Sequence, residues 1–155
     1  ESRLARVAAR LSGSGSGPRV TIATDLEALR ECNVVVSATN SPRPILRPEH
    51  VSAHGPVVIS DVAVPGDVDP SVGSARPNAV VLAGGSIAPP RGQRLEIPGL
   101  STDSGALYAC LAESVILGMH GIHESFSYGP LEAAQVRRAR DLARMHGFEI
   151  EERRA

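Results

Sequence analysis

Three short runs decide how this sequence is read: Asn33-Val34-Val35-Val36-Ser37-Ala38-Thr39, Val57-Val58-Ile59-Ser60-Asp61 and Ala79-Val80-Val81-Leu82-Ala83. Each is almost wholly β-branched or apolar and each stops at turn-forming residues, Asn40-Ser41-Pro42, Val64-Pro65-Gly66 and Gly84-Gly85. Continuous apolar runs of this length suit strands buried on both faces. A fourth run, Val20-Thr21-Ile22-Ala23, precedes them. Between the runs lie helical or short crossover signals. Asp25 is placed to cap a helix through Leu26, Leu29 and Cys32, Pro48 to Ala53 can form one turn, and Asp67-Val68-Asp69-Pro70 leads into a small helical piece. Strand, crossover, strand, repeated in this way, predicts an α/β fold with right-handed parallel pairing.

Working outward, residues 1–11 repeat Leu4, Val7, Ala8 and Leu11 at helical spacing. The stretch Gly13-Ser14-Gly15-Ser16-Gly17-Pro18 follows a helix and opens a strand. A phosphate cradle has the opposite context, so this stretch reads as a linker. Downstream, Ser86 to Pro98 is rich in proline and glycine, residues 104–120 have a helical pattern, and a last helix runs from Gly129-Pro130 through Met145 with Gly147 just past its end. The expected organisation is residues 1–100 as the second part of a dinucleotide-binding sheet domain and 101–155 as a C-terminal helical segment. The strand, glycine-rich turn and helix that hold a pyrophosphate are expected upstream of residue 1, together with the residue that selects NAD or NADP.

Composition limits the function classes. Hydrophobic residues make up 42% of the 155 and aromatics only 3%, so the core is aliphatic. A net charge of −1 gives no basic footprint for nucleic acid. Two cysteines are too few for a secreted disulfide scaffold, and there is neither a signal peptide nor an apolar run long enough to span a bilayer. A cytoplasmic protein is expected.

Two groups of residues are candidates for chemistry. Ala38, Thr39, Asn40, Asp61, Gly84, Gly85 and Ser86 end or follow the carboxyl ends of strands, where open α/β sheets bind ligands, and are expected to contact the nicotinamide half of a dinucleotide. The second group lies in Tyr108-Ala-Cys-Leu-Ala-Glu-Ser-Val-Ile-Leu-Gly-Met-His120-Gly-Ile-His123. A helical wheel makes this helix apolar nearly all round, hence buried, except for a stripe with Cys110, Glu113, Ser114 and His120. Cys110 is either a small core hydrophobe or a nucleophilic thiolate assisted by His120 or His123, and Glu113 opposes a second negative charge beside it. Other polar clusters have plainer readings. His50 and His54 lack a third ligand and sit in a solvated loop, and Cys32 packs beside a strand. Arg137, Arg138, Arg140 and Arg144 form a charged helix face, solvated or docking an acidic partner such as a carrier protein.

The segments Tyr108-Ala-Cys-Leu-Ala-Glu113, Gly121-Ile-His-Glu-Ser-Phe-Ser127 and Arg144-Met-His-Gly-Phe148 resemble the C-terminal part of long-chain fatty acyl-[acyl-carrier-protein] reductases. Val34 to Thr39 and Asp61-Val-Ala-Val-Pro-Gly-Asp-Val-Asp-Pro70 also resemble shikimate dehydrogenases and glutamyl-tRNA reductases, which share a Rossmann-like cofactor fold. The first resemblance implies an NADPH-dependent enzyme in which Cys110 takes the acyl group from acyl carrier protein and releases it as an aldehyde. His123 matches a histidine of that family's motif. The chain departs from the pattern at Tyr128-Gly129-Pro130-Leu131, where an aromatic-Gly-Arg-Asn run is usual. Two other readings stand beside it: a shikimate dehydrogenase or glutamyl-tRNA reductase type of oxidoreductase, and a catalytically silent dinucleotide-binding module.

Overall fold

The computed structural model describes residues 3–12, 19–91, 93, 105–127, 129, 131–150 and 153–154. The expected linker at 13–18, the stretch 94–104, and Tyr128 and Pro130 of the departing motif lie outside them. In chain order the elements are α1 (Arg3–Leu11), β1 (Val34–Ser37), β2 (Val57–Asp61), α2 (Ser71–Ala75), β3 (Ala79–Ala83), β4 (Ser86–Ala88), β5 (Leu107–Tyr108), α3 (Ala109–Met119), α4 (Ala133–Met145), β6 (Glu149–Ile150) and β7 (Arg153–Arg154). Leu26–Glu31 and Pro48–His50 are 3-10 helices, the first capped by the Asp25 carboxylate, which accepts from the Ala28 N–H at 3.3 Å.

Strands β1, β2 and β3 are parallel neighbours, and β7 closes the order β1-β2-β3-β7 in the antiparallel sense. The sequence-predicted parallel α/β architecture is therefore present, built from three of the four expected strands. Val20–Ala23 is not a strand. Thr21, Ile22 and Ala23 are exposed, and among the described residues no strand pairs with them. A β-branched run becomes a strand only when a neighbour completes its hydrogen-bond ladder. The last helix also starts later than expected, at Ala133. Its cap is Glu132, whose backbone N–H donates to the Gln135 side chain at 2.8 Å.

Register explains which residues form the core. Val35 pairs with Ile59 and Ile59 with Val81, so the three form one row across the sheet, at most 8% exposed. Leu46, Val51 and Val72 from the crossovers close over that row. The adjacent row, Val34, Val58 and Val80, has the opposite orientation and is 68%, 38% and 37% exposed. The strands were expected to be covered on both faces; one is covered. Crossovers of a single hand place Pro48–His50 and α2 on the same side, leaving the other valines open. A second, smaller core joins Leu107, Ala112, Ile116, Leu142 and Phe148, where α3 and α4 lie against the antiparallel strands β5-β4-β6.

Gly84 sits where β3 ends against the end of β2. Its N–H donates to the Asp61 carbonyl at 2.6 Å, and a Cβ there would lie 2.5 Å from Val62 Cγ1 and 3.2 Å from the Asp61 carbonyl oxygen. The valine can rotate away but the carbonyl cannot. Gly84→Ala is expected to cost about 1–3 kcal/mol, read as a lower urea midpoint with an unchanged slope.

Candidate functional site

The carboxyl ends of β1, β2 and β3 lie side by side, which brings the predicted strand-end residues to one edge of the sheet. What binds those ends together is a pair of acidic residues in the segment 61–70. Asp61 is 8% exposed, and its carboxylate accepts from the N–H groups of Ala63, Asp67 and Val68 at 3.1, 2.7 and 3.0 Å. Asp67 has no exposed surface. Its carboxylate accepts from the Ser37 hydroxyl at 2.6 Å, the Thr39 N–H at 2.9 Å and the Thr39 hydroxyl at 2.5 Å. The Asp67 carbonyl takes the N–H groups of Ile45 and Leu46. The loop thus folds around Asp61 and is tied to β1 through Asp67.

Asp61 and Thr39, which the sequence reading expects to contact a ligand, also have a structural part at this edge. Their polar side-chain atoms hydrogen-bond within the fold, and Gly84 is required by its approach to Val62 and the Asp61 carbonyl. Asp67, the centre of the network, was not among the candidates. A signal was present: two hydroxyls spaced i, i+2 at the end of β1, Ser37 and Thr39, need a buried acceptor if the first points inward.

Burial by itself would push the Asp67 carboxyl upward, but the hydrogen bonds from Ser37 and Thr39 outweigh it and hold the group below the ordinary aspartate value. Because the folded-state value is the lower one, the stabilisation is complete above the unfolded aspartate value of about 3.9 and is lost as pH falls through it towards the folded value. The acid limb of a urea-midpoint profile is therefore expected to be shallower in Asp67→Asn than in the wild type. Identical acid limbs would remove Asp67 as the cause. Asp69 is also held low, by the Ser71 hydroxyl and N–H, on the exposed side of the loop.

A cavity of about 450 Å³ opens beside this network, bordered by Asp61, Pro65, Asp69, Gly84, Ser86 and Tyr108. Ala38, Thr39 and Asn40 are exposed at the neighbouring strand end. Gly85 has φ +74°, and the nearest atom to a Cβ there is the Val62 carbonyl oxygen at 3.9 Å, so its backbone is open on that side. Ala38, Asn40 and Gly85 are exposed at this edge, which leaves room across the strand ends for a flat ring such as a nicotinamide.

Helix α3 starts from the same turn. The Ala109 N–H donates to the Gly85 carbonyl at 2.7 Å, and Ser86 pairs with Tyr108. Cys110 follows in the first helical turn and is exposed. The helix was expected to be buried apart from the stripe with Cys110, Glu113, Ser114 and His120; it is less buried than that, and exposed Cys110 is not a core hydrophobe. Only Ala112 and Ile116 of α3 are buried, because α4 and the small sheet cover one side alone. The histidines are placed elsewhere. His120 caps the far end of α3, about 15 Å along the axis from Cys110 at 1.5 Å per residue, in edge-to-face contact with His146 at 5.9 Å. His123 lies beyond it, exposed. Among the described residues no hydrogen bond joins the Cys110 thiol to a histidine; the Cys110 carbonyl accepts from the Ser114 hydroxyl at 3.1 Å. Glu113 stays one turn from Cys110 and is half-buried.

A parallel sheet with one-handed crossovers and an open row of strand ends defines a dinucleotide-binding α/β module, and comparison with known proteins agrees. The shikimate/quinate 5-dehydrogenase family matches residues 2–82, and the chain belongs to that family. Among individual relatives, the aminotransferase PigE of a Serratia species is 32% identical over 133 residues, 84% of this chain and 15% of that protein. A glutamyl-tRNA reductase of Thermomicrobium roseum is 50% identical over 44 residues, covering 27% of this chain and 11% of its own. That of Solidesulfovibrio magneticus is 33% identical over 73 residues, 43% and 16% respectively. The chain thus spans between 11% and 16% of these relatives' lengths. The similarity to PigE is too long to stop at β3, so it includes α3. Fold and family mark an NAD(P)-dependent oxidoreductase-like module. Among the described residues no helix is long and apolar enough to cross a membrane.

Proposed function

We propose that this module serves the reduction of an acyl thioester, such as acyl-[acyl carrier protein], to an aldehyde, with Cys110 as the acyl acceptor. The observation that carries the reading is the position of Cys110: exposed, in the first turn of a helix whose first N–H is bonded to Gly85 at the strand-end edge. Residues Ala38, Thr39, Asn40, Gly85 and Ser86 would border the nicotinamide of NADPH. When bound, that cofactor supplies the hydride. The chain's own part is to hold the acyl carbon. The Cys110 thiolate attacks the thioester carbonyl, the new carbon–sulfur bond forms, and the carrier thiol leaves with its electron pair and takes up a proton. With the Ala109 N–H held by Gly85, the N–H groups of Cys110 and Leu111, which have no acceptor within the helix, are the donors this scheme assigns to the carbonyl oxygen as it gains charge. Once the acyl group is reduced, the same carbon–sulfur bond breaks and returns the thiolate.

Support comes from the two relatives named as reductases of an acyl group carried on tRNA, and from the resemblance of Tyr108 to Glu113 to fatty acyl-[acyl-carrier-protein] reductases. His120, ten residues along α3, has no direct part in this scheme, and His123 takes part only if its loop closes towards Cys110. The family match ends at residue 82, before α3, which favours a second reading: a dehydrogenase of the shikimate type in which Cys110 is a bystander. Incubation with an acyl thioester in the absence of NADPH separates them. A single acyl adduct on Cys110 by mass spectrometry is expected. An unmodified thiol in a preparation that still makes aldehyde would remove the covalent step and leave direct hydride transfer. An unmodified thiol with no aldehyde formed when NADPH is added would favour the second reading.

A further inference from the structure

The carboxylate of Asp67 reaches beyond the loop that carries it. That loop is closed by other bonds: Asp61 accepts the Asp67 and Val68 N–H groups, and main-chain bonds at 2.9 and 2.8 Å join Leu46 to Asp67 and Asp69. Among the described residues the Asp67 carboxylate bonds only to Ser37 and Thr39, at and just past the end of β1. On Thr39 it takes two groups at once, the main-chain N–H on Oδ2 and the hydroxyl on Oδ1. Backbone and side chain of one residue are thereby fixed together. The relay continues outward. The Thr39 hydroxyl oxygen accepts the Ser41 N–H at 3.1 Å, and the Ser41 hydroxyl donates to the Arg43 carbonyl at 2.6 Å. At the far end of this segment, Ile45 and Leu46 donate to the Asp67 main-chain carbonyl. Residues 39–46 thus start and finish on one buried aspartate, while Ala38, Thr39 and Asn40 stay exposed. An exposed turn held from beneath in this way loses little freedom when a ligand settles on it.

We propose that Asp67 is a positioning residue for the dinucleotide: acting through Thr39, it holds residues 38–40 in the shape that receives the nicotinamide ring. Having no exposed surface, it touches no ligand itself. The inference rests on the reading above that Ala38, Thr39 and Asn40 border that ring, and adds what keeps the border in place. It gives the network a part that stability alone does not require, because an apolar set of similar shape would fill the same space at little cost. Hydrogen bonds are directional where apolar packing is not, and they fix one orientation of Thr39.

The test compares two ligands on the full chain by calorimetric titration: NADPH, and 2′-phospho-ADP-ribose, which lacks the nicotinamide. Wild type is expected to bind NADPH the more tightly. Asp67→Asn is expected to weaken NADPH by about three- to tenfold and to leave 2′-phospho-ADP-ribose unchanged. Thr39→Val, which keeps the shape and removes the hydroxyl, is expected to do the same. Val72→Ala opens a gap in the neighbouring core without reaching the turn, and is expected to leave the ratio of the two affinities at its wild-type value. A merely structural role for Asp67 predicts an equal loss for both ligands. Such an equal loss, a wild-type ratio in Asp67→Asn, or a ratio shifted as far by Val72→Ala would overturn the inference and leave the nicotinamide border standing. Equal affinities in the wild type, or no binding of either ligand, would sink that border and this inference together.

Discussion

Cys110→Ala is expected to abolish aldehyde formation, by on the order of 10³-fold or more, while leaving the urea midpoint within about 0.5 kcal/mol of wild type. The two halves of that expectation come from one observation. The thiol is exposed in the first turn of α3, so its removal opens no cavity and breaks no side-chain hydrogen bond among the described residues. A nucleophile has no such redundancy, because without the sulfur there is no acyl-enzyme to reduce. Cys110→Ser is expected to be nearly as inactive, since an alcohol supplies almost no anion near neutral pH. Dinucleotide affinity is expected to be unchanged in both variants, as Cys110 follows the residues proposed to border the ring. The measurement is a pair of assays, aldehyde production and cofactor fluorescence titration. Full aldehyde production by the alanine variant would end the covalent mechanism and leave direct hydride transfer.

Asp67→Ala is expected to cost about 3–5 kcal/mol of stability, a large share of what a domain of this size has. The carboxylate has no exposed surface and accepts three hydrogen bonds, from the Ser37 hydroxyl and from both the N–H and the hydroxyl of Thr39. Removing it leaves the buried Ser37 hydroxyl unsatisfied, at about 1–3 kcal/mol, and takes away both bonds that tie the more exposed Thr39 to the loop. Asp67→Asn keeps one acceptor but turns an amide N–H towards groups that donate, so about half the loss is expected. Ser37→Ala removes a donor rather than the shared acceptor and is expected to cost about 1 kcal/mol. Urea denaturation gives all three. A cost below about 1 kcal/mol for Asp67→Ala would show that the loop is held by its backbone bonds instead.

The contrast between these residues shows what could be read in advance. The strands at 34–37, 57–61 and 79–83 were legible because each is a continuous β-branched run closed by turn residues, and their carboxyl ends pointed to the edge where Thr39 and Gly85 lie. Val20–Ala23 has the same local chemistry and failed, since strand identity is settled by a neighbour that local chemistry does not name. Asp67 sits in Pro65-Gly66-Asp67-Val68-Asp69-Pro70, a composition that reads as a solvated turn, and only the fold sets it against residues 28 and 30 positions away. His120 was misplaced for a geometric reason. A helical wheel superimposes residues on one face and discards the axial rise, so a neighbour on the wheel can be about 15 Å distant in the molecule. The late start of α4 was written in the reciprocal Glu132–Gln135 cap, but Gly129-Pro130 was the louder signal.

The tie between β1 and the 61–70 loop also restricts how this chain can change over generations. Ser37, Thr39 and Asp67 form a single acceptor with its donors. A lineage that replaces Asp67 with an apolar residue inherits two hydroxyls with no acceptor, and one that replaces the hydroxyls inherits a buried charge with too few donors. Single steps in either direction are selected against, whereas replacing the whole set by apolar residues of similar shape is close to neutral. Positions 37, 39 and 67 are therefore expected to covary among descendants of this sequence, changing together or not at all.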